Sequence, residues 1–233
     1  CWEYANRAIT FNAKKRIERS CEKVNSNSLH LENLDNYNLL LNFLKEIRPH
    51  QWIKNILVFI PLIAAQKFYP NLIIESILAF FAFSFVASNV YIINDLFDLK
   101  VDRNHPKKCQ RPLAAGNLSL FNGFIGGFLL LILGFTFAFK VGLLFSIILI
   151  IYYISTIFYS LFLKQKSLFD ILLLSGLYTI RLIGGGVATN LEISFWLLAF
   201  SVFVFLSLAS VKREAELIEL KERGKMEIYG RGY

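Results

Sequence analysis

Charge is scarce in this sequence: only 18% of its 233 residues are Asp, Glu, Lys or Arg, and the acidic ones number 17. That excludes an ordinary soluble domain of this size, which carries more charge and fewer phenylalanines. Cysteine is scarce too. Cys1, Cys21 and Cys109 form no CxxC pair and no disulfide framework. The three histidines, His30, His50 and His105, share no metal-ligand spacing and are expected at the surface. No phosphate-binding glycine loop is present; Gly184, Gly185 and Gly186 suit close helix contact or a bend instead. No signal peptide heads the chain, which opens on Cys1 and ends in IYGRGY, so both ends read as cuts in a longer protein.

What is abundant is apolar. Hydrophobic residues make up 55% of the chain, phenylalanines number 23 and the mean hydropathy is +0.50. A helix crosses the hydrocarbon core with about 20 apolar residues. Residues 72–93, 118–139, 141–163, 167–188 and 193–211 all reach that length. WIKNILVFIPLIAAQ is shorter and is expected to form a first span, starting near the interface and kinked at Pro61. The expected fold is all-α, a polytopic bundle of about six antiparallel spans over residues 48–233. Residues 1–47 are polar and form a separate lead-in, with a short amphipathic helix in FNAKKRIERSCEKVN and a linker in NSNSLHLENLDNYN.

The net charge of +8 is distributed asymmetrically. Lys45, Arg48 and Lys54 precede the first crossing. Lys100, Arg103, Lys107, Lys108 and Arg111 follow the second, Lys164 and Lys166 the fourth, and Lys212, Arg213, Lys221, Arg223, Lys225 and Arg231 the sixth. The alternate connections carry only Lys67 and Lys140. Six crossings put every cation-rich segment on one side, which the positive-inside rule makes cytoplasmic. The expected location is the plasma (inner) membrane, with the N-terminus and any site in these loops facing the cytoplasm. Cations confined to loops between spans also argue against nucleic acid as a partner.

YIINDLFDLKVDRNHPKKCQRPLAAG, residues 91–116, concentrates the chemistry. Asp95, Asp98 and Asp102 are spaced i, i+3, i+7, within about 60° of one another on a helix, and Asn94 borders that face. One charge at a span centre costs about 2.5–3.5 kcal/mol, so such a stripe persists only where water, cations or a metal reach it. Solvation past the membrane edge, pairing with Lys100, Arg103 and Lys107, or helix capping would each explain a single aspartate. Three converging carboxylates followed by a cation cluster suit Mg²⁺ bridging to phosphate oxygens, with Lys107, Lys108 and Arg111 adding charge for a diphosphate.

NDLFDLKVDRNHPKKCQRPLAAG resembles the first aspartate-rich signature of the UbiA superfamily of intramembrane prenyltransferases. That resemblance implies a helical bundle, usually of nine spans, with a cavity open to the cytoplasmic side and to lipid, and aspartates that hold Mg²⁺ on a diphosphate. Six spans out of nine would leave the C-terminal part of the bundle missing. RPHQWIKNILVFIPL, YSLFLKQKSLFDILLLSGLYTIRLIGG, FLSLASVKREAEL and YGRGY are similar to segments of the decaprenyl-phosphate phosphoribosyltransferase branch. A second aspartate-rich motif, common in the superfamily after the sixth helix, is replaced here by Lys212, Arg213, Glu214 and Glu216. AITFNAKKRIERSCEKVN weakly resembles the end of a haloacid-dehalogenase-type phosphatase, without that enzyme's catalytic aspartates, and would make residues 1–47 the tail of an upstream domain.

The branch implies Mg²⁺-dependent transfer of a 5-phosphoribosyl group from phosphoribosyl pyrophosphate to a polyprenyl phosphate, in arabinan precursor synthesis for the cell wall. On that reading Asp95 and Asp98 are expected to hold Mg²⁺ with Asn94 and Asp102 beside them, and Arg103, Lys107, Arg111 and Lys164 to hold diphosphate or phosphate. Tyr159 would hydrogen-bond a phosphate oxygen, and Lys54 and Gln51 would reach the acceptor phosphate. Lys212, Arg213 and Glu216 would surround the 5′-phosphate and ribose. Arg181, deep in a span, must face the cavity or a partner. Lys164 and Lys54 equally suit interface anchors, and Tyr159 an interfacial aromatic. Two other activities compete: prenyl transfer from a prenyl diphosphate to an aromatic acceptor, and cation transport through intramembrane carboxylates. A homo-oligomer is compatible with all three.

Overall fold

The computed structural model describes residues 8–11, 15–24, 28–31, 39–161 and 167–222. Two compact units divide the chain, residues 1–41 and 42–233. In the first, strands β1 (Ala8–Phe11) and β2 (Ser28–Leu31) pair in parallel, with helix α1 (Lys15–Val24) connecting them. A parallel pair needs such a crossover, because a tight hairpin can join only antiparallel strands.

The second unit is helical. After α2 (Leu39–Glu46) comes a 3₁₀ stretch, Pro49–Phe59, then α3 (Ile60–Ala65). Five long helices follow: α4 (Pro70–Phe97), α7 (Leu120–Val141), α8 (Leu143–Leu161), α9 (Ser167–Ala188) and α10 (Phe195–Glu222). Between α4 and α7 lie the short helices α5 (Leu99–Arg103) and α6 (Pro112–Ala115). All five long helices have the length and hydropathy to cross a membrane. Their bounds fall within a few residues of the expected spans, except that α10 continues through Lys212 and Arg213 to Glu222.

Helix α4 is the hub. Its apolar window is 61% buried, against 17–22% for α7, α8 and α10, and it packs on α7, α8, α9 and the 3₁₀ stretch. Small residues make this possible: Ser76, Ala79, Ala82, Ser84, Ala87 and Ser88 are all buried and let neighbours approach. The outer helices present Phe121, Phe124, Phe139, Phe195, Trp196 and Phe203, a surface suited to lipid rather than water. Phe83, Phe145 and Tyr152 pack edge-to-face in the middle.

The segment expected as a first span differs from expectation and is not among the five helices of membrane length. It is a 3₁₀ stretch up to Phe59 that becomes α-helical at Ile60, immediately before Pro61, rather than an α-helix bent at the proline. Three residues per turn align Trp52, Asn55 and Val58 in one row. Trp52 Nε1 donates to Ser88 Oγ (3.0 Å) and Asn55 Nδ2 to Ser84 Oγ (2.9 Å), on successive turns of α4 running the opposite way. Three residues at about 2.0 Å rise match four at about 1.5 Å, so the ladder stays in step with α4. At the row's end the Val58 carbonyl meets Gly185 of α9, where an added Cβ would lie 2.0 Å from its oxygen. The glycine triplet thus serves close helix contact.

Candidate active site

The aspartates gather where α4 ends. The stripe is interrupted: α4 stops at Phe97, Asp98 occupies the junction half-buried, and the helix resumes at Leu99 as α5. Asp95 and Asp102 are nonetheless joined. Arg111, delivered by the connection to α6, donates from Nη1 to Asp95 Oδ1 (2.9 Å) and to Asp102 Oδ2 (2.5 Å). Arg48 pairs with the other oxygen of Asp95, and Lys108 Nζ stands 3.9 Å from Asp102 Oδ1. Both aspartates are about 98% buried, so each charge is held by cations rather than by water.

Arg48 adopts a left-handed conformation (φ 51°) directly before Pro49. A non-glycine residue there carries roughly 1–3 kcal/mol of strain. Its pairing with Asp95 offsets that strain and fixes how the 3₁₀ stretch enters the bundle.

Glu46, two residues earlier, is buried against this cluster, beside Asp95 and the Leu113 backbone. Neither of its oxygens accepts a well-formed hydrogen bond. Burial, and then the neighbouring Asp95, push its carboxyl up to about 8. Two carboxylates cannot hydrogen-bond; a protonated Glu46 can donate to Asp95.

A second cluster closes the same end. Tyr159 at the end of α8 donates to Asp170 Oδ1 (2.5 Å) in the first turn of α9, and Arg213 of α10 pairs with Asp170 Oδ2. Ser160 donates to Asn94 Oδ1, tying α8 to α4 beside the aspartates. Tyr159 and Arg213 were expected on substrate phosphates; the structure ties both to Asp170. Arg103 donates from Nε to the Ala114 carbonyl (3.2 Å) and so braces the loop. Lys107 is exposed, and Gln51 is half-buried on the 3₁₀ stretch. Lys164 lies outside the described residues, as does the side chain of Glu216.

Farther inside, Arg181 is buried. It donates from Nε to Asn55 Oδ1 (2.8 Å), from Nη2 to Tyr152 Oη (2.9 Å), and from Nη1 to the Leu177 carbonyl. Its guanidinium stacks on Tyr152 (4.9 Å) and Tyr178 (5.4 Å).

Sequence reasoning placed Arg48 only among the orienting cations and did not single out Glu46. The signal for both was a charged pair flanking the pre-proline corner at a membrane edge.

One carboxylate acceptor remains open for a divalent cation: Asp102 Oδ1 is buried without a hydrogen bond, with Lys108 Nζ 3.9 Å away. No group of three acidic, histidine or cysteine side chains among the described residues forms a metal cage. Arg111 brings two carboxylates together, Asp95 and Asp102, and Mg²⁺ is usually held on one or two carboxylates with water and substrate phosphate completing the shell.

A membrane-length helical bundle, closed at one end by paired carboxylates and guanidiniums, defines an intramembrane protein whose polar site suits a diphosphate. The chain belongs to the UbiA prenyltransferase family, whose model matches residues 56–215. It is 37% identical over 193 residues to the nodulation protein NoeC of Azorhizobium caulinodans, covering 83% of this chain and 63% of that one. It is 35% identical over 191 residues to the decaprenyl-phosphate phosphoribosyltransferase of Mycobacterium tuberculosis, covering 80% and 63%. The chain spans 37% to 63% of the length of its curated relatives. A UbiA homologue from Archaeoglobus fulgidus, solved with GPP and Mg²⁺, shares the fold at TM-score 0.66 and 19% identity, over 78% of this chain and 66% of that one.

Proposed function

We propose that this chain forms part of a transferase moving a 5-phosphoribosyl group from phosphoribosyl pyrophosphate to a polyprenyl phosphate, with release of diphosphate. The observation that carries it is the Arg48–Asp95–Arg111–Asp102–Lys108 cluster, where buried carboxylates and cations alternate at the end of α4. The 35% likeness to the phosphoribosyltransferases supports the choice of donor. Asp95, Asp98 and Asp102 are the metal ligands of this proposal. When bound, Mg²⁺ would neutralise charge developing on the departing diphosphate.

The protein's own groups do the rest. Arg111 and Lys108, already poised on the carboxylates, turn to the diphosphate and hold it while the C1–O bond breaks and its electron pair leaves with the diphosphate. An acceptor phosphate oxygen forms the new bond to C1. Because that phosphate is already an anion, no strong general base is required. Gln51 and Lys54 on the 3₁₀ stretch are proposed on the acceptor's side, and Lys107 at the exposed rim guides incoming anions. Tyr159 and Arg213 act as positioning residues, holding α8, α9 and α10 together through Asp170. The mouth is proposed to face the cytoplasm. The product would be an activated pentosyl lipid; its use in arabinan synthesis is proposed on the likeness to the mycobacterial enzyme alone.

The test uses the full-length protein in membranes with Mg²⁺, labelled phosphoribosyl pyrophosphate and decaprenyl phosphate. Label should enter the lipid fraction. If it never does, while a prenyl diphosphate is consumed with a hydroxybenzoate, the prenyl-transfer alternative replaces this proposal.

A further inference from the structure

One buried cation lies apart from the carboxylate clusters and joins most of the bundle. Arg181 is 6% exposed and pairs with no carboxylate among the described residues. It donates to Asn55 of the 3₁₀ stretch, to Tyr152 of α8 and to the Leu177 carbonyl of its own helix. Asn55 in turn donates to Ser84 of α4, Tyr152 packs on Phe83 of α4, and Tyr178, against the guanidinium, stacks on Phe205 of α10. Two helices fix its depth. Ser84 stands 11 residues before Asp95 on α4, and Arg181 stands 11 residues after Asp170 on α9, in each case about 16 Å at helical rise. Immediately beyond it the interior is closed. A Cβ on Gly184 would lie 2.7 Å from the Phe83 ring, and one on Gly185 2.0 Å from the Val58 carbonyl oxygen. A charge buried at this depth costs stability that an alkyl side chain of similar volume would not, so packing alone does not account for it.

We infer that Arg181, held by Asn55 and Tyr152, is a specificity-determining floor: it ends the polar site from below and excludes the hydrocarbon tail of a prenyl diphosphate from the bundle interior. The inference rests on the proposed phosphoribosyl transfer, whose donor has no hydrocarbon tail, and deepens it by naming what rejects prenyl donors. Three of the five guanidinium donors are spent on the fold, which leaves two for water or a polar ligand. A tail laid against them would strand these donors and the Tyr152 hydroxyl away from water. Polar groups left unpaired by the wrong ligand discriminate more sharply than a missing apolar contact does. The acceptor's own polyprenyl tail then lies outside the bundle, against lipid.

The experiment uses the full-length protein in nanodiscs with Mg²⁺ and two probes. One is inorganic diphosphate; the other is a farnesyl diphosphate analogue with a photoreactive diazirine at the far end of its tail. Affinities are measured for both, and labelled residues are mapped by peptide mass spectrometry. In wild type no label should reach Asn55, Tyr152 or Tyr178. In the double variant Arg181→Met, Tyr152→Phe, affinity for the farnesyl analogue should rise about tenfold relative to that for diphosphate, the size of one charge-assisted hydrogen bond no longer stranded, and label should appear at Tyr178. An arginine that served only the fold would lower both affinities together. Label at Asn55, Tyr152 or Tyr178 in wild type overturns the floor, and so does a folded double variant that gains neither relative affinity nor interior label. Should the double variant not fold, the wild-type label map decides. Interior label in a protein that does move phosphoribosyl to lipid overturns the floor alone. A wild type that keeps the tail out yet transfers nothing from phosphoribosyl pyrophosphate refutes the transfer and leaves the floor standing.

Discussion

Arg213→Met separates a structural from a substrate role for the residues that replace the second aspartate motif. Arg213 and Asp170 are buried together, with 7% and 0% of their side chains exposed, and Tyr159 donates to the same carboxylate. Methionine keeps the volume and removes the cation. Breaking a buried ion pair from one side costs about 3–5 kcal/mol, because the remaining charge stays buried. Hydrogen bonds in membrane interiors average nearer 0.6 kcal/mol, and Tyr159 still supports Asp170, so the lower end, about 3 kcal/mol, is expected. Reversible unfolding of the full-length protein in mixed micelles measures this directly. The double variant Arg213→Met, Asp170→Asn should regain most of the loss, since it leaves no lone charge. At a temperature where the single variant is folded, its KM for phosphoribosyl pyrophosphate should stay close to wild type. The reasoning is refuted if Arg213→Met unfolds like wild type while that KM rises tenfold, because the arginine would then serve the sugar phosphate.

Further perturbations test other parts of the structure. Asp95→Asn and Asp98→Asn should each abolish turnover while leaving membrane insertion intact, checked by the transfer assay and by fractionation; substantial activity in both would remove the metal role. Gly185→Ala should destabilise the bundle by about 1–3 kcal/mol in the same unfolding assay, because its Cβ would overlap the Val58 carbonyl. Glu46→Gln should change stability in a pH-dependent way. The carboxyl is raised to about 8 in the folded protein from 4.5, so wild type has its full stability below 4.5 and loses it as pH rises through 8. Melting curves in EDTA from pH 5 to 9 should therefore show the variant gaining on wild type as pH rises; a constant difference would place Glu46 in contact with solvent.

The long helices were legible because a membrane imposes one length and one composition on every crossing, and α4, α7, α8 and α9 obey both. The aspartates were legible because their spacing suits one helical face, and Asp95 and Asp102 do meet at Arg111 although the helix breaks at Asp98, but their cation partners were not legible. Arg111 reaches Asp95 and Asp102 only because a connection of irregular backbone folds back across the end of α4, and local periodicity does not encode such a return. Arg48 reaches Asp95 through a left-handed corner before proline, a conformation that residue preference argues against. The Asp170 pairing joins three helices whose relative rotation no single-helix pattern fixes. The 3₁₀ form of the segment before Ile60 was hidden for a related reason: its rungs match Ser88 and Ser84 on another helix, a correspondence that local periodicity does not encode.

That ladder also bears on how the gene can change. Trp52, Asn55 and Val58 are committed at every third position, to Ser88, to Ser84 and to the Gly185 contact, while Gln51 and Lys54 occupy the neighbouring row. Inserting or deleting one codon between 52 and 58 would shift every later rung by about 120° and uncouple the asparagine from Arg181. A three-codon change would restore the rotation but displace the 3₁₀ segment by about 6 Å along its axis. The rungs thus fix the length of this segment, whereas Gln51 and Lys54 on the neighbouring row answer only to the ligand proposed for them.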